Sequence, residues 1–219
     1  MGYPTVEFMK GFSRTASSDL PTHFGLFTLV HYQGEDLEGV ALLRGKPTGG
    51  NVLCRVHSEC MTGEVFGSLR CDCRPQLELA LERLSRAEEG VIVYLRQEGR
   101  GIGLGNKIKA YALQDQGRDT VQANLDLGFA ADERSYGLAA AILRELGISS
   151  VRLMTNNPEK MHGLEAAGIK VSEQVSHWAG SSSHSEAYIE TKQRRMGHIT
   201  NSPESQGPDA SAKKEGQGL

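Results

Sequence analysis

Three cysteines, Cys60, Cys71 and Cys73, are spaced as C-x10-C-x-C. If that segment is extended, Cys71 and Cys73 point to one side, and the polar residues around them suit a surface loop better than a core. Three thiolates with no fourth cysteine beside them leave one position of a tetrahedral zinc open to water, as catalytic rather than structural sites do. Zinc brings the pKa of such a water down to about 7. On spacing alone, free thiols in a loop are the competing reading. The run R-V-H-S-E-C at 55–60 adds weight to a site, because Arg55, His57, Ser58 and Glu59 stand directly before the first thiol. His57 can support a metal ligand or touch a phosphate, and Glu59 can carry a proton or read a base. Alone, each is more often a solvated surface residue. The fourth cysteine, Cys54, lies in an alternating run with Val52 and Val56 and reads as a buried apolar residue.

The stretch R-Q-E-G-R-G-I-G-L-G-N-K at 96–107 has glycines at 99, 101, 103 and 105. It fits neither the dinucleotide fingerprint nor the P-loop pattern. A glycine-rich turn between a buried strand and a helix can still offer backbone N–H groups to an anion, and Arg96, Arg100 and Lys107 add charge-assisted contacts. A flexible loop is the plain alternative. A-D-E-R at 131–134 reads first as a helix start with a favourable acidic turn. T-N-N-P-E-K at 155–160 reads as a strand end, a turn and a helix start, the place where α/β sheets bind ligands.

These groups need a scaffold, and the chain supplies an α/β (mixed α+β) pattern. Residues 1–24 are polar and read as a loosely held arm, 25–200 as one catalytic domain and 201–219 as a disordered tail. Three β-rich segments, 25–32, 38–44 and 51–57, are separated by turn-forming stretches and suit antiparallel pairing. From residue 74 helices and strands alternate. A helix opens at Pro75 and ends at Gly90, and V-I-V-Y-L at 91–95 is a strand buried on both faces. Asn106 and Asp132 are candidate caps for two further helices. Strands follow at 148–154 and 169–175, with a helix from Pro158 between them, and a last helix is expected at 187–196.

Composition narrows the function. Of 219 residues, 24 are Lys or Arg and 27 Asp or Glu, a net charge of −3 that argues against nucleic acid as a partner. No apolar run is long enough to span a membrane. The N-terminus has no apolar stretch of the secretory kind, so a cytoplasmic protein with reduced thiols is expected. Met1-Gly2 lacks the Ser or Thr at position 6 that myristoylation needs, since Val6 stands there.

Taken in order, R-V-H-S-E-C, S-L-R-C-D-C, R-Q-E-G-R-G-I-G-L, N-K-I-K-A-Y-A-L-Q-D-Q-G, L-G-F-A-A-D-E-R, L-M-T-N-N-P-E-K and K-M-H-G-L-E-A-A-G-I resemble the GTP cyclohydrolase II family, which opens GTP at the first step of riboflavin synthesis. The likeness runs from residue 51 to about 175, and M-G-H at 196–198 extends it. The resemblance implies that Cys60, Cys71 and Cys73 hold zinc, and that Arg55, Val56, His57, Ser58, Glu59, Gln76, Glu98, Gly99, Arg100, Thr120, Thr155 and Lys160 contact GTP. It further implies catalytic roles for Tyr111, Asp132 and Arg134, with Asp132 as proton acceptor and Arg134 acting at the α-phosphate. It also implies Mg²⁺ with the triphosphate, release of formate and pyrophosphate, and a homodimer. No preceding domain for dihydroxybutanone phosphate synthesis is present, so a single activity is expected.

The sequence departs from the family at Arg74, where glycine is usual, and over 177–185, which lacks the family's Pro- and Asn-rich pattern. Two other readings compete. His57-Ser58-Glu59 fits the H-x-E of zinc nucleobase deaminases, but the P-C-x-x-C partner is missing because only Asp72 separates Cys71 from Cys73. A paralogue that binds nucleotide without chemistry is opposed by the retention of the three thiols with Tyr111, Asp132 and Arg134.

Overall fold

The computed structural model describes residues 12–34 and 38–179. Seven strands, β1 (Ser13–Thr22), β2 (Gly25–Gln33), β3 (Glu38–Arg44), β4 (Val52–Ser58), β5 (Gly90–Leu95), β6 (Ser150–Met154) and β7 (Lys170–Val175), form one sheet in the order β1-β2-β3-β5-β4-β6-β7. The helices are α1 (Met61–Glu64), α2 (Cys73–Ser85), α3 (Gly103–Asp115), α4 (Thr120–Asp126), α5 (Gly137–Glu145) and α6 (Pro158–Ala166). The fold is therefore mixed α/β. Pairing is antiparallel from β1 through β3 to β5 and parallel from β5 through β4 and β6 to β7.

Strand β5 shows why the sheet must be covered on both sides. Its alternate residues Val91, Val93 and Leu95 face one core, with Val52, Cys54 and Val56 of β4 and the apolar run of α5. Ile92 faces the other, packed with Phe27, Met154 and the α2 residues Ala80 and Leu84. An apolar strand without polar alternation is what a two-sided burial requires. Helix α6 starts where the sequence indicates: Pro158 sits in the first turn and the Asn157 side chain accepts from Glu159 N.

Several expectations need correction. Residues 13–22 are not a loose arm, because β1 pairs with β2 along its length. Its side chains are nearly all exposed, so composition reads as loop while backbone pairing holds the strand. The third early strand, β4, does not pair with β3; β5 lies between them, and β4 runs parallel to β5 and β6. Burial on both faces sends β4 to the middle of the sheet. Asn106 does not cap α3, which begins three residues earlier at Gly103; its side chain donates to Ile102 O within the helix. Asp132 does not cap α5, which starts at Gly137, because its carboxylate binds Arg134. The expected helix at 187–196, the tail at 201–219, M-G-H at 196–198 and residues 180–185 lie outside the described residues. Among those described, no helix is long and apolar enough to cross a membrane.

Candidate active site

The carboxyl ends of the parallel strands open into one cavity. Ser58 to Cys60 leave β4, Gln97 and Glu98 leave β5, Thr155 to Asn157 leave β6, and His177 with Trp178 leave β7; all of them line it. Adjacent parallel strands place their outgoing loops side by side, and so ligands bind there. Helices α2, α3 and α4 add Gln76, Tyr111 and Thr120 to the wall.

Cys60 follows β4, while Cys71 and Cys73 enter α2. Their sulfurs lie within 4.8 Å of one another, and Cys60 Sγ is 3.6 Å from Cys71 Sγ. Gly63 lies against them without a side chain: a Cβ there would be 2.9 Å from Cys71 Sγ and 3.3 Å from Cys60 Sγ. Three convergent soft donors over a side-chain-free wall fit zinc. Hydrogen bonds from Cys71 and Cys73, then Lys107, push Cys60 far down, while Cys71 and Cys73 are pushed up. Lys107 Nζ donates to Cys60 Sγ at 3.1 Å and to Glu98 Oε1 at 2.7 Å. Burial works against its charge, but those two partners outweigh it. Tyr111 OH stands 3.3 Å from Thr62 Oγ1, under the Arg70 guanidinium at 4.8 Å from its ring centre.

Cations come from several elements. Arg55, buried, donates to Met154 O at 2.7 Å and Gln76 Oε1 at 2.6 Å, and burial pulls its pKa down to about 10, still charged at neutral pH. Gln76 passes the constraint to Asp72 through Nε2. Lys160 Nζ donates to Val56 O at 2.7 Å, so Val56 serves through its carbonyl while its side chain lies in the core. Arg134 is gripped by Asp132, with Nε 2.8 Å from Oδ1 and Nη2 on Oδ2. Burial would raise Asp132, yet Arg134 holds its carboxyl below the usual range. Arg134 lines the cavity; Asp132 stands behind it.

The glycine-rich loop is a tight turn at Glu98–Gly101. Gly99, Arg100 and Gly101 all have positive φ, at 63°, 64° and 93°. Arg100 in this left-handed region is strained, a feature that clusters at functional sites. The loop's own N–H groups are partly engaged, since Gly99 N donates to Glu98 Oε1. Glu98 is in fact an anchor, taking Met61 N, Gly99 N and Lys107. Thr155 Oγ1 accepts from Asn157 N at 3.0 Å and shapes the turn after β6. Thr120 begins α4 behind its cap Asp119.

Six buried side-chain polar atoms lack a partner among the described residues, and five of them belong to cavity residues: Arg55 Nε, His57 Nδ1, Ser58 Oγ, His177 Nδ1 and Trp178 Nε1. Buried polar groups are normally satisfied, so their concentration here marks a place completed by ligand or water. Of the residues that the resemblance assigns to the site, only Val56 and Asp132 are absent from the wall itself, and Arg96, expected to add an anion contact, is absent too and pairs with Glu38. Sequence reasoning missed Glu64, Asn124, Asn156, His177 and Trp178. Asn156 was visible in T-N-N-P, whereas Glu64 and the His177–Trp178 pair carry no motif. Glu64 is pushed up to about 7 by burial.

A family model described as GTP cyclohydrolase II matches residues 13–176. The riboflavin biosynthesis protein RibBA of Rhodococcus jostii is 52% identical over 197 residues, covering 86% of this chain and 47% of its own. The GTP cyclohydrolase-2 of Aeromonas hydrophila is 51% identical over 194 residues, covering 87% of this chain and 98% of its own. The chain spans about half the length of the RibBA relatives it matches. Among solved structures, RibBX, a two-domain 3,4-dihydroxy-2-butanone 4-phosphate synthase from A. baumannii, aligns at TM-score 0.46 and 20% identity over 76% of this chain and 41% of its own, a likeness too slight to bear on function.

Proposed function

The chain belongs to the GTP cyclohydrolase II family, and from that premise we propose that it hydrolyses GTP at the imidazole ring. The products are formate, pyrophosphate and 2,5-diamino-6-(5-phospho-D-ribosylamino)pyrimidin-4(3H)-one, for riboflavin or a specialised pathway using the same pyrimidine. The observation that carries this reading is one cavity in which three thiols within 4.8 Å of one another share a wall with Arg55, Arg100, Lys107, Arg134 and Lys160. Softer donors suit a metal and the cations suit a triphosphate.

Cys60, Cys71 and Cys73 would hold zinc, which when bound supplies Lewis acidity for hydrolysis at carbon 8 of guanine. Lys107 balances the thiolate charge beside Cys60. Tyr111 offers a hydroxyl from α3 at the same end of the cavity. Water adds at carbon 8, the ring opens to a formamide, a second water releases formate, and a third attacks the α-phosphorus as pyrophosphate leaves. Arg134 acts as an electrostatic clamp on the α-phosphate; bound to Asp132 it stays protonated, and a protonated guanidinium is a poor nucleophile. As paired in this structure, Asp132 holds that clamp, and it can accept a proton only by releasing Arg134. Arg55, His57, Ser58, Glu59, Gln76, Thr120, Thr155 and Lys160 surround the nucleotide, and Mg²⁺ accompanies its phosphates. The enzyme works as a cytoplasmic homodimer.

The test is incubation with GTP and Mg²⁺, with formate, pyrophosphate and pyrimidine quantified together beside a chelated control. Equal amounts of all three, with formate lost on chelation, are expected. Pyrophosphate without formate would overturn ring opening.

A further inference from the structure

His57 stands at the end of β4, 2% exposed, with its ring stacked on Tyr94 at a centroid distance of 5.7 Å. Its Nε2 lies 2.8 Å from Glu64 Oε1, and the Tyr94 hydroxyl donates to Glu64 Oε2 at 2.6 Å. His57 Nδ1 is buried with no partner among the described residues. Neither the motifs nor the comparisons give Glu64 or Tyr94 a role.

We propose that Glu64, braced by Tyr94, is a positioning residue that fixes His57 as its neutral Nε2–H tautomer, so that Nδ1 presents a lone pair to an N–H or O–H of the bound nucleotide. The argument is one of donors and acceptors. A neutral imidazole has one N–H and one lone pair, and Glu64 in its carboxylate form, with its other oxygen taken by the Tyr94 hydroxyl, can only accept. The hydrogen therefore goes to Nε2 and leaves Nδ1 as the acceptor. Burial, with Arg55 and Lys160 nearby, disfavours a second proton on the ring. Tyr94 occupies the other carboxylate oxygen and limits its rotation. An acceptor buried without a partner is costly unless something completes it, and His57 lines the cavity proposed for GTP. A carboxylate that sets the tautomer of a working histidine is a recurring device in hydrolases.

The inference rests on the GTP reading only in naming the ligand. The test is ¹⁵N-histidine NMR of the full chain at pH 8, with His57 assigned by its absence from His57→Gln, run with and without a non-hydrolysable GTP analogue. The wild type should be protonated at Nε2, with the Nδ1 resonance moving when the analogue is added. Glu64→Leu, which removes the acceptor, should lose the fixed tautomer and raise KM about tenfold with kcat within about twofold. Glu64→Asp should restore both the tautomer and most of the affinity. A wild-type His57 protonated at Nδ1 would overturn the proposal, as would an unchanged tautomer and KM in Glu64→Leu. If GTP is bound but not hydrolysed, the tautomer and the analogue's affinity still decide this question while the hydrolytic reading fails.

Discussion

On one side of β5 the sheet is antiparallel, made of β1, β2 and β3; on the other it is parallel, where β4 follows β3 through a loop and β5, β6 and β7 are reached through helical crossovers. Both halves share the core, since Val30, Tyr32, Ala41 and Leu43 pack with Val52, Val56 and Leu153. Only the parallel half contributes to the cavity wall. Parallel strands all end on one edge, so the residues following β4, β5, β6 and β7 converge, whereas antiparallel strands send successive turns to opposite edges. Strand β1 is accordingly exposed along most of its length and contributes nothing to the cavity wall.

The comparison can be broken most decisively at the thiols. Cys71→Ser should lower formate release by at least about 100-fold and strip bound zinc, as read by formate yield and metal content together. Full formate yield from a zinc-free variant would remove the metal from the mechanism. Arg134→Ala should slow pyrophosphate release by roughly 100-fold, an effect typical of losing one preorganised electrostatic contact. Normal release would move the α-phosphate role to another cation. Gly63→Ala should weaken zinc binding by about tenfold, in the range seen when groups around a metal site are disturbed, because its Cβ would lie 2.9 Å from Cys71 Sγ. A competition titration with a chelator measures it.

Smaller effects concern stability. Burial pushes His177 down to about 2 from an ordinary 6.5. Between those values the unfolded chain holds a proton that the folded chain lacks. Stability is thus complete above about pH 6.5 and falls as pH drops toward 2, by up to about 1.4 kcal/mol per pH unit for one group. His177→Phe should make that fall shallower between pH 6 and pH 4 in denaturant titrations; an unchanged slope would mean that the ring is already protonated in the folded protein. Smallest of all, Cys54→Ala should cost about 1 kcal/mol of stability and leave zinc content and formate release intact. Cys54 is fully buried, with its thiol pushed up to about 12, in the middle of the same strand that delivers Cys60. Loss of zinc there would extend the site into the core.

Legibility followed the range of the interaction. Pro158 after Asn157 marked α6 because capping is local. V-I-V-Y-L marked β5 because an unbroken apolar run needs two covered faces. Strand β1 escaped notice because nothing about its exposed side chains demands a sheet. Asp132 looked like a helix cap because Arg134, two residues away, competes for the same carboxylate in a way that spacing does not reveal. Glu64 gave no signal, because its partners His57 and Tyr94 come from two different strands.

The sequence by itself determined the inventory: three thiols at a metal-like spacing, a glycine turn able to adopt positive φ, the cations, and the helices and strands that carry them. These depend on residue chemistry and on contacts a few positions apart. Only the tertiary structure decided that β4 enters between β5 and β6, that Glu98 ties Lys107 beside Cys60, that Asp132 stands behind Arg134, and that His177 closes the cavity from β7. Those outcomes depend on which strands become neighbours, and strand order is set by burying both faces of the sheet at once.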